Sequence, residues 1–290
     1  MRSSAISYHG AKTKLSSDIV EYFPSHSTYV EVFGGSAAVL MEKDQSNLEV
    51  YNDLHDDLVN FFLVLRDSHE ELQEFLMDTP YSRSYLRQLQ EKWYVNNERP
   101  DDEVKRAGEY YYMQFAGIKS IHGKTGISVS SDTNSARAMR RAIEKMDIFA
   151  ERMRDVVIEN HDYSEIYRIY DAPYTLFYLD PPYVEVEDRS YFPSDSDFNH
   201  IDFIQRTKDL DGYWVCSYGI MPSEGKNAQA FNELKESDDF YITQLEANWD
   251  TNSHGDREQH KIPTENLIMN FDPDDIDRHN KLKSNVEVDW

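Results

Sequence analysis

Apolar residues follow two kinds of pattern along this chain. Short, nearly continuous runs occur at TYVEVF (28–33), LEVYND (48–53), VVIEN (156–160), TLFYL (175–179) and YWVCSY (213–218), and two more close the chain at 241–249 and 266–271. Their length and their β-branched and aromatic content predict buried strands. Elsewhere the apolar residues return every three or four positions: Leu58, Phe61, Phe62 and Leu65, then Leu72, Phe75 and Leu76, then Tyr85, Leu86 and Leu89, with Pro80 interrupting. That spacing predicts helices, as do the stretches near 104–115, 136–153 and 198–210, the last with Asp197 as its cap. Strands fill the two ends of the chain, while the middle has no strand–helix–strand repeat. An α/β sheet of the doubly wound kind, interrupted by a mainly helical insert, is the expected architecture.

The strand ends carry the chemistry. TLFYL stops at Asp180-Pro181-Pro182-Tyr183. Prolines cannot donate to a sheet ladder, so the strand finishes near Asp180 and presents a carboxylate and a ring on a stiff backbone. Ligands of open α/β sheets gather at such carboxyl ends. An Asp-Pro turn with a stray aromatic is the plainer alternative. Earlier, the strand 28–33 runs into Gly34-Gly35 and a small-residue helix start with Ser36 as a candidate cap, and Asp53 lies nineteen residues beyond Gly34. Strand, glycine turn, helix and a downstream acid able to hold ribose hydroxyls form a general nucleotide-binding opening. A nicotinamide dehydrogenase would need a third glycine where Val39 stands, and it would leave Pro-Pro-Tyr without a purpose.

Charge complicates the picture. The 290 residues carry a formal charge of −24. Yet 104–143 holds seven basic residues (Lys105, Arg106, Lys119, Lys124, Arg137, Arg140, Arg141) against Glu109 and Asp132, a local +5 that leaves −29 for the remainder. A basic insert on an acidic body suits a polyanionic partner, and the acidity suggests a halophilic source. Gly123 and Gly126 flank Lys-Thr between β-prone runs, a hairpin pattern from which Lys119, His122 and Lys124 project. Arg137, Arg140 and Arg141 share one broad helix face, which is either phosphate-facing or merely solvated. No cluster surrounds His122, so no metal site is expected. Cys216 is the single cysteine, no apolar run approaches a membrane span and no leader pattern opens the chain, so a cytoplasmic setting is expected.

The Asp180–Tyr183 stretch resembles the Asp-Pro-Pro-Tyr motif of amino-group DNA methyltransferases, and the element order resembles that of the Dam-type adenine enzymes over about 6–271. Tyr8, Gly10 and Lys12 match the family's aromatic-x-Gly-(Gly or Ser)-Lys loop, with Ala11 departing. Glu31, Phe33, Gly34, Gly35 and Ser36 align with its Glu/Asp-Pro-Phe-x-Gly-Ser-Gly element, where Val32 replaces Pro and Ala37 the last Gly. Asn52 and Asp53 match its Asn-Asp pair, and Asp162 and Tyr163 its Asp-Phe/Tyr element. The resemblance implies S-adenosylmethionine as cofactor, held by these residues. It also implies a catalytic Asp180, Pro181, Pro182 and Tyr183 acting on a flipped adenine in double-stranded DNA. Lys119, His122, Lys124, Arg137, Arg140 and Arg141 become DNA-binding candidates. The cofactor-binding domain would comprise 1–56 and 155–271, the DNA-recognition insert 57–154, and 272–290 a polar tail without order. Cytosine-N4 methylation, or a catalytically silent DNA- or cofactor-binding subunit, are the alternatives. A cognate restriction endonuclease would be a natural partner.

Overall fold

The computed structural model describes residues 4–8, 11–117, 134–182, 198–219, 228–246 and 264–275. Its strands are β1 (Thr28–Glu31), β2 (Leu48–Asn52), β3 (Val156–Glu159), β4 (Thr175–Leu179), β5 (Tyr213–Tyr218), β6 (Tyr241–Glu246) and β7 (Thr264–Met269). They form one seven-stranded sheet in the order β3-β2-β1-β4-β5-β7-β6. The pairs β1–β4, β2–β3 and β4–β5 are parallel, while β7 runs antiparallel to both β5 and β6. The chain steps outward from β1 to β2 and β3, then crosses to β4 and steps the other way. Strand order therefore reverses between β1 and β4, the switch point where open α/β sheets place their ligands. All five residues of β4 are buried, as its continuous apolar run requires of an inner strand. Cys216 is buried in β5.

Two compact units divide the chain: Met1–Thr13, Gly34–Met41 and Glu49–Asp162 form the first, and Lys14–Phe33, Glu42–Leu48 and Tyr163–Trp290 the second. The first contains the helices that follow β2: α3 (Asp56–Asp67), α4 (His69–Asp78), α5 (Arg83–Gln90), α6 (Glu103–Ala116), α7 (Ser135–Ile143) and α8 (Met146–Met153). A π-helical turn, Glu91–Val95, extends α5. Polar side chains accept the otherwise unpartnered amides at the starts of these helices: His55 for α3, Ser82 for α5, Asp102 for α6 and Asn134 for α7. Tyr110, Tyr111 and Tyr112 are buried, and Tyr111 stacks on Phe61 with ring centroids 5.7 Å apart. Helix α6 also approaches α4 closely, since a Cβ on Gly108 would lie 2.2 Å from the Phe75 ring.

Three buried acids of this unit are paired. Asp57 accepts from Arg99 at 2.9 Å and Arg106 at 2.6 Å, and the Arg99 guanidinium lies 4.3 Å from the Trp93 ring centroid. Glu109 receives Lys92 at 2.8 Å and Trp93 Nε1 at 2.7 Å. Arg152 of α8 grips Glu49 of β2 at 2.5 Å and donates to the Leu40 carbonyl at 2.7 Å. Each acid thus keeps its charge balanced where water is scarce.

The second unit holds α1 (Ser16–Val20), α9 (Tyr163–Tyr170), α10 (His200–Lys208) and α11 (Ala228–Glu236) beside its strands, and α2 (Ala38–Glu42) straddles the division. Three expected boundaries move. The helix expected over 136–153 is two, and at the break Gln73 Nε2 donates to the Ile143 carbonyl at 2.8 Å, giving a helix-end carbonyl a partner. Ser36 does not cap α2: the helix begins at Ala38, and Ala37 turns the chain with φ +56°. Asn199 caps α10 by accepting from Asp202 N at 3.1 Å; Asp197 lies outside the described residues.

Candidate active site

In the first unit the turn after β1 is built from Gly34, Gly35 and the end of β2. Gly34 N donates to the Asn52 carbonyl at 2.7 Å. The Tyr51 ring fills the space beside Gly34, where a Cβ would come within 2.2 Å of it, and the Tyr51 hydroxyl donates to the Gly35 carbonyl at 2.8 Å. Gly35 takes φ +48°, a conformation that favours glycine, and a Cβ there would lie 3.4 Å from the Tyr8 ring. Ser36 is buried, and its carbonyl accepts from the Ser4 hydroxyl at 3.3 Å.

Asp53 follows β2 and accepts from two amides, Gly35 N at 2.8 Å and His55 N at 2.8 Å. Burial raises its pKa, against the lowering effect of the amide bonds from His55 and Gly35. A carboxylate offers about four acceptor positions, so it retains capacity toward hydroxyl donors. Asn52 has a different task. Its side chain exchanges two hydrogen bonds with the main chain of His161, at 2.8 and 3.0 Å, tying the end of β2 to the turn after β3. Asp162 is exposed one residue further on, and Lys12 is buried. Gly10 lies outside the described residues.

Three residues that the sequence pattern does not mark as site residues support it: Tyr51, His55 and Tyr110. The His55 and Tyr110 rings lie 5.6 Å apart. Burial pushes the Tyr110 hydroxyl well above the usual phenol range, with Tyr8 and Asp53 among the groups that reinforce the shift. Tyr110 reads in the sequence as a helix core position, and so it is; only the folded chain puts it near Tyr8 and Asp53.

In the second unit Asp180 is half-buried directly after β4, Pro181 is buried and Pro182 half-buried. On the neighbouring strand the buried Tyr218 hydroxyl meets His200 Nδ1 at 2.7 Å. Burial lowers the His200 pKa to about 4, so the imidazole is neutral near pH 7. Tyr218 titrates well above a free phenol, chiefly through burial, with the Asp180 charge contributing. Glu31, buried at the end of β1, accepts from the Tyr29 hydroxyl at 2.8 Å. Phe33 lies in a ring cluster with Tyr163, Phe198 and Phe203 at 6.2, 5.8 and 5.6 Å, and the Tyr163 hydroxyl donates to Asp202 at 2.7 Å.

Of the DNA-binding candidates, Arg137, Arg140 and Arg141 are exposed on α7, and no ion pair among the described residues involves them. Lys119, His122, Lys124 and Tyr183 lie outside the described residues. Among the described residues no group of three or more His, Cys, Asp or Glu is placed to hold a metal ion, and no helix is long and apolar enough to cross a membrane.

Comparison with known proteins gives this arrangement a family. The chain is 23% identical over 187 residues to the type II methyltransferase M.CviBI of Paramecium bursaria Chlorella virus NC1A, a match spanning 62% of this chain and 69% of that one. Among solved structures it resembles an rRNA methylase from Streptococcus thermophilus (TM-score 0.34, 9% identity, 88% of this chain and 94% of that chain). SMU.776 complexed with SAH is similar too (TM-score 0.38, 9% identity, 90% of this chain and 49% of that chain). The profile of the D12 class N6 adenine-specific DNA methyltransferases matches residues 8–246, most of the sheet and the whole helical insert, and the chain belongs to that family.

Proposed function

We propose that Asp180 and the Pro181 carbonyl hold the exocyclic amine of a flipped adenine in double-stranded DNA, with Tyr183 stacked on the base, while Asp53 and the Gly34–Ser36 turn hold S-adenosylmethionine. Family membership makes the protein an adenine-N6 DNA methyltransferase using that cofactor; the residue roles are our reading. The observation that carries it is the Asp-Pro-Pro sequence directly after a wholly buried strand, beside the reversal of strand order. The amine's lone pair is delocalised into the purine, so it is a weak nucleophile. Two acceptors on its hydrogens favour a tetrahedral nitrogen with the lone pair directed outward. When bound, the cofactor supplies an electrophilic methyl group.

Local chemistry supports the cofactor half. Asp53 is oriented by two amides before any ligand arrives and suits ribose hydroxyls. Tyr8 beside Gly35 supplies an aromatic wall, and Lys12 is the cation for a carboxylate. Phe33, Asp162, Tyr163 and Glu31 are assigned to the same ligand; Asn52 supports the turn rather than touching it. Residues 57–154 form the DNA-recognition insert, with Arg137, Arg140 and Arg141 on the phosphates and Lys119, His122 and Lys124 at the bases or backbone. A cytoplasmic enzyme paired with a restriction endonuclease completes the reading. The −24 charge is assigned to life in high salt, which predicts stability that rises with ionic strength in thermal melts.

Calorimetry separates the two halves. Asp53→Ala should weaken cofactor binding at least tenfold. Asp180→Ala should bind cofactor within a few-fold of the parent yet transfer no methyl; joint loss of both would make Asp180 a structural residue instead.

A further inference from the structure

A cavity of about 370 Å³ opens in the first unit between the N-terminal segment 4–8 and helices α6, α7 and α8. It falls within the volume range of small-ligand sites, roughly 300–1,000 Å³. Neither Asp53 nor the glycine turn lines it, so it is distinct from the ribose site assigned above. Tyr8, Tyr111, Phe115 and Phe149 contribute aromatic walls, and Arg141 and Lys145 contribute two cations. Among the described residues no carboxylate lines it, although the chain has 54 acids against 30 lysines and arginines. Glu144 and Asp147, which flank Lys145, are exposed and lie off its wall.

We propose that this cavity holds one nucleotide of the DNA substrate other than the methylated adenine, with its phosphate on Arg141 and Lys145 and its sugar and base against the rings. The inference rests on the insert's reading as the DNA-binding region and gives α7 two separate tasks. Arg137 and Arg140 do not line the cavity and act on the duplex exterior; Arg141 acts inside the cleft. Aromatic walls suit a base of any sequence, because each base presents a π face, and the paired cations suit a phosphodiester.

The placement of Tyr8 adds a consequence. Tyr8 lines the cavity and also packs beside Gly35. A nucleotide that fixes this ring prepares the glycine turn for the cofactor, so the two ligands strengthen each other reciprocally.

The test measures duplex affinity for the full-length protein by fluorescence anisotropy, and SAH affinity by calorimetry with and without saturating duplex. In the parent, duplex should tighten SAH binding about fivefold or more. Arg141→Ala with Lys145→Ala should weaken duplex binding about tenfold and abolish that tightening, leaving SAH affinity without DNA unchanged. Phe149→Leu, which keeps the charges, should weaken duplex binding several-fold and guards against a purely electrostatic explanation. Loss of SAH affinity without DNA in the double variant would assign the cavity to the cofactor and overturn the proposal. Unchanged duplex affinity would also overturn it. If Arg137→Ala with Arg140→Ala then still weakens duplex binding, the cavity inference alone has failed; if neither pair matters, the insert's DNA role falls with it.

Discussion

Two sets of arginines in the helical insert behave in opposite ways. Arg99 and Arg106 converge on the buried Asp57, and Arg99 also packs on Trp93. Arg137, Arg140 and Arg141 stand exposed on α7 without a carboxylate partner among the described residues. Residue for residue the sequence does not tell the two sets apart, and Arg106 counts toward the basic stretch of 104–143. Folding commits one set to holding α3, the 91–99 segment and α6 together and leaves the other on the surface without an ion pair among the described residues. A basic stretch thus states how much positive charge is present, while the pairing of each guanidinium states how much the fold has already used.

Removing Asp57 should break that comparison most severely. Asp57→Ala leaves two partly buried guanidinium groups unbalanced and should cost about 3 kcal/mol, read as a lower denaturant midpoint. Replacing Arg137, Arg140 and Arg141 by glutamine should leave that midpoint within about 0.5 kcal/mol, as for exposed substitutions generally.

Burial without a charged partner among the described residues is a third case, met at His200. Its folded pKa of about 4 is below the ordinary 6.5, so the unfolded chain takes up the proton first as pH falls. Stability should decline from about pH 6.5 to about pH 4 and level off below, by up to about 3 kcal/mol from this residue. Comparing urea midpoints across that range with His200→Phe, which cannot titrate, checks the slope; an equally steep decline in the variant would assign the acid sensitivity elsewhere.

The α7 arginines should give a smaller, purely functional effect. Neutralising all three should weaken duplex binding and lower the magnitude of the slope of log affinity on log salt by about 0.9 for each phosphate that the variant no longer neutralises. An unchanged slope would place the phosphate-binding cations elsewhere on the chain. Smallest of all, Ala37→Gly relieves a left-handed alanine at φ +56° but removes a buried methyl and frees the unfolded chain, so the thermal midpoint should shift by the equivalent of about 0.5 kcal/mol or less.

Much of the architecture is legible in the sequence because local and global signals agree. TLFYL is apolar and aromatic after Thr175 and is followed by Asp180 and two prolines, and it is the fully buried β4. The break between α7 and α8 is not legible: Met139, Ile143, Met146, Ala150 and Met153 keep helical spacing through it, and the side chain that satisfies the Ile143 carbonyl there is a glutamine seventy residues away. The Asn-Asp motif marks Asp53 but not its orientation, which depends on the Gly35 and His55 amides. Nor does the motif show that the Asn52 side chain exchanges two hydrogen bonds with the main chain of His161. Tyr51 and Tyr110 are invisible as site residues for a common reason. Their rings serve the core, and their proximity to Gly35 in one case and to Tyr8 and Asp53 in the other arises only from folding.

The central claim is that Asp180 holds the adenine amine during transfer. Mass spectrometry of nucleosides from duplex DNA incubated with S-adenosylmethionine and either the parent or Asp180→Ala tests it most directly. The parent should yield N6-methyladenine and the variant none, although it still binds cofactor. N6-methyladenine formed by the variant at a rate near the parent's would contradict the claim.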